Sequence, residues 1–194
     1  MSTPPDKNYL SLSGDDAGNI WKNGMILFEA SVPGIRTVNL GDVVPDSLTY
    51  SDTLKLSGVR RLEVLVDRLV GSIEDCVDIN HSHDATVRIK ECCPTGLFIS
   101  TIKGGSTNIA LVIDVLRGTG TETGVDLGNF TEFTNDKTTG VTIKINNSTV
   151  IPEVRVINAA MPTTIGIMTI SEPWWSYWPF WQIYCFARNH NWVK

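Results

Sequence analysis

The chain has 194 residues, is 42% hydrophobic and carries a formal net charge of -5, which suits one globular domain with a sizeable core. No basic stripe is visible, which excludes a nucleic-acid binder working through phosphate contacts and argues against attraction to an anionic membrane. The four cysteines, Cys76, Cys92, Cys93 and Cys185, show no paired C-x-x-C spacing, so they read as reduced, mostly buried thiols rather than zinc ligands, and no cofactor is expected.

Residues 1–20, "MSTPPDKNYLSLSGDDAGNI", read as an extended polar arm. They lack the basic and apolar regions of a secretory signal. "MILFEA" and "RTVNL" then predict a first, irregular coil. From residue 53 onward, runs rich in Val, Ile and Thr recur as predicted strands. One series is "RRLEVLVD", "DATVRIK", "TNIALVID", "GVTIKIN" and "TTIGIMT". Aligned on Val64, Val87, Leu111, Ile143 and Ile167, its steps are 23, 24, 32 and 24 residues. A second series lies between these: "TLKLSG", "CVDINH", "ISTIKGG", "GVDLGNF" and "EVRVINA". Aligned on Leu56, Ile79, Ile102, Leu127 and Val156, its steps are 23, 23, 25 and 29.

Two interleaved strand series with one period describe a coil with at least two sheet faces per turn. Alternate residues of a strand share an environment. In the first series the inward columns beside the aligned one are Leu62, Ala85, Ile109, Val141 and Ile165, and Val66, Ile89, Ile113, Ile145 and Thr169. In the second, Leu54, Val77, Ser100, Val125 and Val154 flank the aligned row. Consecutive coils must pair in parallel, because the chain crosses each face in the same direction. The sequence therefore predicts an all-β fold, a right-handed parallel β-helix or solenoid of about 24 residues per coil. Its domain spans 21–170, and 171–194 form an aromatic C-terminal tail. The longer steps place projecting loops around 129–140 and 146–152.

This stack, over roughly residues 53–170, resembles the pectin-lyase-like superfamily of right-handed β-helices, which includes pectate lyases, polygalacturonases and phage tailspike and particle proteins. "EDCVDI" followed by "RIK" is similar to the aspartate pair and Arg-Ile-Lys of polygalacturonases. An Asn-Thr-Asp element one coil earlier is missing, and Arg88–Lys90 follow within the same coil, so the catalytic roles are not carried over.

The richest polar stretch is "EDCVDINHSHDATVRIK", residues 74–90. Strict alternation turns Asp78 outward, with Lys55, Thr101, Asp126 and Arg155 on the same rung of successive coils. Asp78 and Asp126, two coils apart, would be roughly 9–10 Å from each other, near the upper end of the ~6.5–9.5 Å carboxylate spacing of inverting glycosidases. Each has a cationic neighbour that favours ionisation, so the expected role is a solvent-facing charge ladder, with a glycosidase pair as the alternative. "HSHD" could clamp a transition metal through His81, His83 and Asp84. A hydrogen-bonded turn is the expected reading. Gly104 and Gly105 of "IKGGST" should supply positive φ at the same corner.

Leu65, Val112 and Met168 fall on the outward row of the first series, with Arg88 and Lys144 between them, and suggest a contact surface. The tail holds Trp174, Trp175, Trp178, Trp181 and Trp192, five of the six tryptophans. Its nearly all-apolar run, 173–187, is too short to span a bilayer as a helix, and Pro179 interrupts it. A cap on the open end of the stack, a docking arm and a membrane-interface anchor all fit such a tail. The expectation from these features is a non-enzymatic structural protein of a phage or virus particle, a capsid decoration or tail-associated protein. It would be a homo-oligomer, a trimer for preference, docking on a capsid or tail subunit, located in the virion or, before assembly, in the cytoplasm. The alternative is a small polysaccharide-binding or polysaccharide-cleaving β-helix using Asp78 and Asp126.

Overall fold

A strand with one apolar face must bury it against a second layer, and a solenoid supplies that layer half a turn later. The computed structural model describes residues 8–96, 98–118, 130–134, 138–149 and 153–157, with 130–134 and 153–157 described by backbone alone. In spatial order the first sheet contains β13 (Glu153–Ile157), β11 (Phe130–Thr134), β9 (Phe98–Lys103), β7 (Asp75–Asn80), β5 (Asp52–Ser57), β1 (Leu10–Gly14), β2 (Ile20–Lys22) and β3 (Met25–Phe28). The second contains β12 (Thr139–Ser148), β10 (Thr107–Leu116), β8 (His83–Cys93), β6 (Arg60–Val70) and β4 (Arg36–Val43). Every pairing is parallel except β1–β2 and β2–β3, which are antiparallel. The chain alternates between the sheets, and this is a parallel β-solenoid of about 24 residues per coil.

The core is a set of stacked columns between the sheets. Val38, Val64, Val87, Leu111 and Ile143 are consecutive partners across the second sheet. The flanking columns Leu62, Ala85, Ile109 and Val141, and Val66, Ile89, Ile113 and Ile145, are buried. Leu12, Leu56, Ile79 and Ile102 form the facing column of the first sheet, all fully buried. Burying one such aliphatic side chain contributes roughly 1.5–3 kcal/mol, so packing alone is reason enough for the residues of these columns. Ile165, Ile167 and Thr169 lie outside the described residues, as do Val125 and Leu127.

Two expectations are corrected. Residues 10–14 are not part of an arm: "LSLSG" alternates, and Leu10 and Leu12 enter the core against Leu54 and Leu56. Nor does "GVDLGNF" supply the fourth rung of the first sheet. Phe130–Thr134, read as loop, forms β11, and Phe133 takes the place expected of Leu127, opposite Ile102 and Val156. "FTEFT" is rich in Phe and Thr, which suit a pleated sheet, whereas "GVDLG" is bounded by glycines that weaken a strand.

Three successive turns from the first sheet to the second share one plan. Gly58, His81 and Gly104 all have positive φ, at 69°, 48° and 68°. They follow one another at one-coil spacing, each at the exit of a first-sheet strand. At the entrance to the next strand, Arg61, Asp84, Asn108 and Gly140 also have positive φ, between 51° and 65°. Between these two kinks Val59, Ser82, Ser106 and Thr138 turn inward and are buried. At Gly104 a Cβ would lie 2.0 Å from Asn80 Oδ1, so both backbone and space favour glycine there, although His81 takes the same backbone one coil below.

Candidate functional site

The "HSHD" stretch is one rung of that repeated corner. His83 Nδ1 and Thr107 Oγ1 are hydrogen-bonded at 2.7 Å, and Asp84 Oδ1 accepts from Asn108 Nδ2 at 2.6 Å. The Ser82 hydroxyl donates to Asn80 O, and its amide donates to Ser106 Oγ at 3.1 Å. His81 and Asp84 adopt left-handed backbone, which His and Asp tolerate better than most residues. Their positions in the sequence are therefore set by the turn. Among the described residues no three His, Cys, Asp or Glu side chains are placed to hold a metal ion.

The carboxylates of the same stretch form a denser constellation. Strict alternation would put Asp52 and Lys55, three residues apart on β5, on opposite faces. They nevertheless form an ion pair at 3.8 Å, and Thr53 and Leu54 between them are both fully buried. The next coils match: Cys76 and Val77 are both buried on β7, as are Ile99 and Ser100 on β9. Two successive inward residues per strand thus bring Asp52 and Asp75 to the side of Asp78. Asp78 Oδ2 lies 3.2 Å from Lys55 Nζ and 3.2 Å from Lys103 Nζ, while its Oδ1 has no hydrogen-bond partner.

Asp78 is not solvent-facing as alternation suggested: Asp52, Asp75 and Asp78 are 5%, 4% and 0% exposed. Alternation assigns a side chain to a face but not to a depth. The expected rung order is otherwise present, as Lys55, Asp78 and Thr101 are consecutive partners. The next two positions are Glu132 and Arg155, and Asp126 lies outside the described residues. Among the described residues Asp78 is joined by Asp52 and Asp75 with Lys55 and Lys103, and sequence reasoning missed the first two.

Burial dominates the electrostatics. It pushes the Asp75 carboxyl up to about 7; a hydrogen bond from Thr101 opposes this, and the charges of Asp52, Asp78 and Glu74 add to it. Asp52 rises to about 6, again mainly through burial, with Asp78 repelling and Lys55 opposing. For Lys103 burial works to lower the pKa, but Asp78, Asp52 and Asp75 outweigh it and hold the ammonium more firmly protonated than usual. A carboxyl near neutrality could exchange a proton at physiological pH. With 4–5% of their surface exposed, Asp75 and Asp52 have no room to touch a substrate.

The thiols are buried nearby. Cys76 hydrogen-bonds to Cys92 across the interior, and that bond, then burial, raises its pKa well above the ordinary thiol value. Cys185 lies outside the described residues.

Leu65 and Val112 are half-buried on the outer face of the second sheet, separated by Arg88 on the rung between. That face is dominated by cross-strand pairs: Glu63 with Arg88 at 3.0 Å, Arg68 and Arg117 with Glu91 at 3.9 and 3.4 Å, and Asp67 with Lys90. Such exposed pairs contribute about 0–1 kcal/mol each. They leave Leu65 and Val112 as separate apolar spots rather than a continuous patch. Met168 and the tail tryptophans Trp174, Trp175, Trp178 and Trp181 lie outside the described residues. Among the described residues no helix is long and apolar enough to cross a membrane.

Four of the seven exposed large hydrophobics among the described residues lie at the N-terminal end, the others being Val44, Leu48 and Ile73. Among the described residues β3 is the last strand of its sheet, and Met25 and Ile26 on it are 72% and 57% exposed. Val32 and Ile35, in the segment leading to β4, are also exposed. The fold and this geometry define the class as a parallel β-solenoid with an antiparallel hairpin at its N-terminal end. No protein-family model, no curated protein and no solved structure matches the chain.

Proposed function

We propose that this chain is a structural β-solenoid protein of a phage or virus particle, acting through self-assembly and docking rather than catalysis. The observation that carries the reading is the exposed apolar edge strand β3, with Met25, Ile26 and the neighbouring Val32 and Ile35. Unpaired edges with apolar side chains invite pairing with another chain, and proteins that remain monomeric usually blunt them with charge, proline or a covering segment. The aromatic tail supplies a second contact, since Trp and Tyr dominate interface hot spots. The particle context rests on likeness of architecture to β-helical tailspike and particle proteins, a fold-level analogy. The proposed assembly is a homotrimer docked on a capsid or tail subunit.

The test is solution mass of three forms: the intact chain, an Ile26→Lys variant, and a chain lacking residues 173–194. The intact chain should be oligomeric. Either alteration should lower the mass while the β-sheet circular dichroism is retained. An intact chain that stays monomeric at tens of micromolar, and binds no particle, sinks the reading.

A second reading, a polysaccharide-cleaving β-helix, is favoured by one observation: the near-neutral carboxyls of Asp52 and Asp75 beside Asp78. It requires the cluster to open. Glycan release by the intact chain, abolished in Asp78→Asn, would establish it.

A further inference from the structure

Arg36 is the odd residue of the N-terminal end. It opens β4, yet only 6% of its surface is exposed. A buried guanidinium is ordinarily matched by a carboxylate, because an unpaired charge in a low-dielectric setting is costly. Among the described residues none is in ion-pair range. Instead Arg36 donates through Nη1 to Gly18 O and through Nη2 to Arg60 O, and its guanidinium carbon lies 5.9 Å from the centre of the Phe28 ring. Its Nε–H is buried with no hydrogen-bond partner. Backbone carbonyls satisfy two of five donors but neutralise no charge.

Arg36 lines a cleft of about 170 Å³ between the β1–β2 connection, the segment before β4 and the start of β6. Arg60 and Arg61 line it too, so three arginines border one space in a chain of net charge -5. The one carboxylate in the lining is Asp16, whose side chain is 99% exposed and pairs with Arg60 at 2.9 Å. Asp15 is turned away into the loop, accepting from the amides of Gly18 and Asn19 and from the Asn19 side chain. Gly18 and Gly34, both at positive φ, also line the cleft and add no side chains to it. The volume corresponds to about five or six waters, enough for a compact polyatomic group.

We propose that this cleft is a binding site for an oxyanion group, a phosphate or sulfate held by the guanidinium groups of Arg36, Arg60 and Arg61. Arginine presents donors in a planar fork that matches such oxygens, which lysine does not. The group arrives either as the free ion or as an ester on a larger molecule. The site is independent of the assembly reading, although it adjoins the same end of the solenoid.

The test uses the full-length chain and isothermal titration with sodium phosphate, sodium sulfate, sodium acetate and a phosphate monoester, each at ionic strength fixed with sodium chloride. Phosphate or sulfate should bind saturably with one site per chain, and a tighter monoester would identify the ester as the natural form. Arg60→Gln and Arg61→Gln alter exposed side chains, and each should weaken binding at least fivefold with unchanged circular dichroism. Arg36→Lys keeps the charge but loses the fork, and should abolish saturable binding. The proposal is overturned if all the anions behave like chloride. It is equally overturned if binding is unaffected by Arg60→Gln and Arg61→Gln, or if acetate binds as tightly as phosphate and sulfate. Should Arg36→Lys fail to fold, the two exposed variants decide the matter alone.

Discussion

Replacing Asp75 with asparagine should make the protein more resistant to unfolding at neutral pH, and the gain should vanish in acid. The Asp75 carboxyl is 4% exposed, and its pKa moves from 3.8 to about 7 on folding. A folded-state pKa above the unfolded value means the folded state prefers the protonated form. Stability from this group is therefore complete below about pH 4 and is lost as pH rises to about 7. A move from 3.8 to about 7 is equivalent to about 4 kcal/mol between the two limits. Asp52 titrates over part of the same range, and its charge is one of those that raise Asp75, so the two contributions overlap in pH. Lys55 and Lys103 face the cluster, and its carboxylates hold the Lys103 ammonium protonated. The neutral amide of the Asp75→Asn variant would imitate the protonated carboxyl and could keep an acceptor for Thr101. Urea unfolding at intervals from pH 4 to pH 8 measures the effect as the difference between variant and parent. That difference should grow with pH by about 2–4 kcal/mol. A difference that is flat with pH, or that grows as pH falls, would refute the reasoning.

Two further outcomes test the scaffold. Leu111→Ala removes a fully buried side chain from the middle of the column between Val87 and Ile143. It should cost about 2–5 kcal/mol in urea unfolding, and a cost below about 1 kcal/mol would mean the column is not closely packed. Gly104→Ala puts a Cβ 2.0 Å from Asn80 Oδ1 at a φ of +68°. It should lower stability by about 1–3 kcal/mol, whereas Gly24→Ala, with φ +81° but open space around its Cβ, should cost less.

The columns were legible because their information is local and repeated. Val64, Val87, Leu111 and Ile143 are each flanked by apolar residues two positions away, and the same phase returns about 24 residues later. Three features were not legible. Asp75 joins Asp78 only because Cys76 and Val77 both turn inward, a lapse of alternation that nothing in "EDCVDI" announces. The depth of Asp78 depends on what lies over the sheet, which periodicity does not report. The fourth rung went to Phe130–Thr134 because the insertion lies before the strand, and both "GVDLGNF" and "FTEFT" fit the apolar pattern. The arginine cleft is a further such case: the register sets Arg36 opposite Leu62 and Arg60 opposite His83, and only the Arg36 side chain reaches back to the Arg60 carbonyl.

In a repeating scaffold, recurrence separates structural polarity from polarity with another purpose. The "HSHD" corner recurs: "SGVRR" one coil below and "KGGSTN" one coil above make the same two left-handed kinks around a buried residue, with no histidine in either. Whatever the histidines add, the turn does not need them. The aspartate cluster recurs once, as Asp52 and Asp75 are partners, and stops at Phe98 on the next rung. The arginine cleft does not recur. It lies where the period breaks, between a hairpin that no other described coil has and the first regular turn. Stacking explains a residue that is repeated at every rung. It offers no reason for a buried, unmatched guanidinium at the end of the stack, and a ligand that supplies the missing negative charge does.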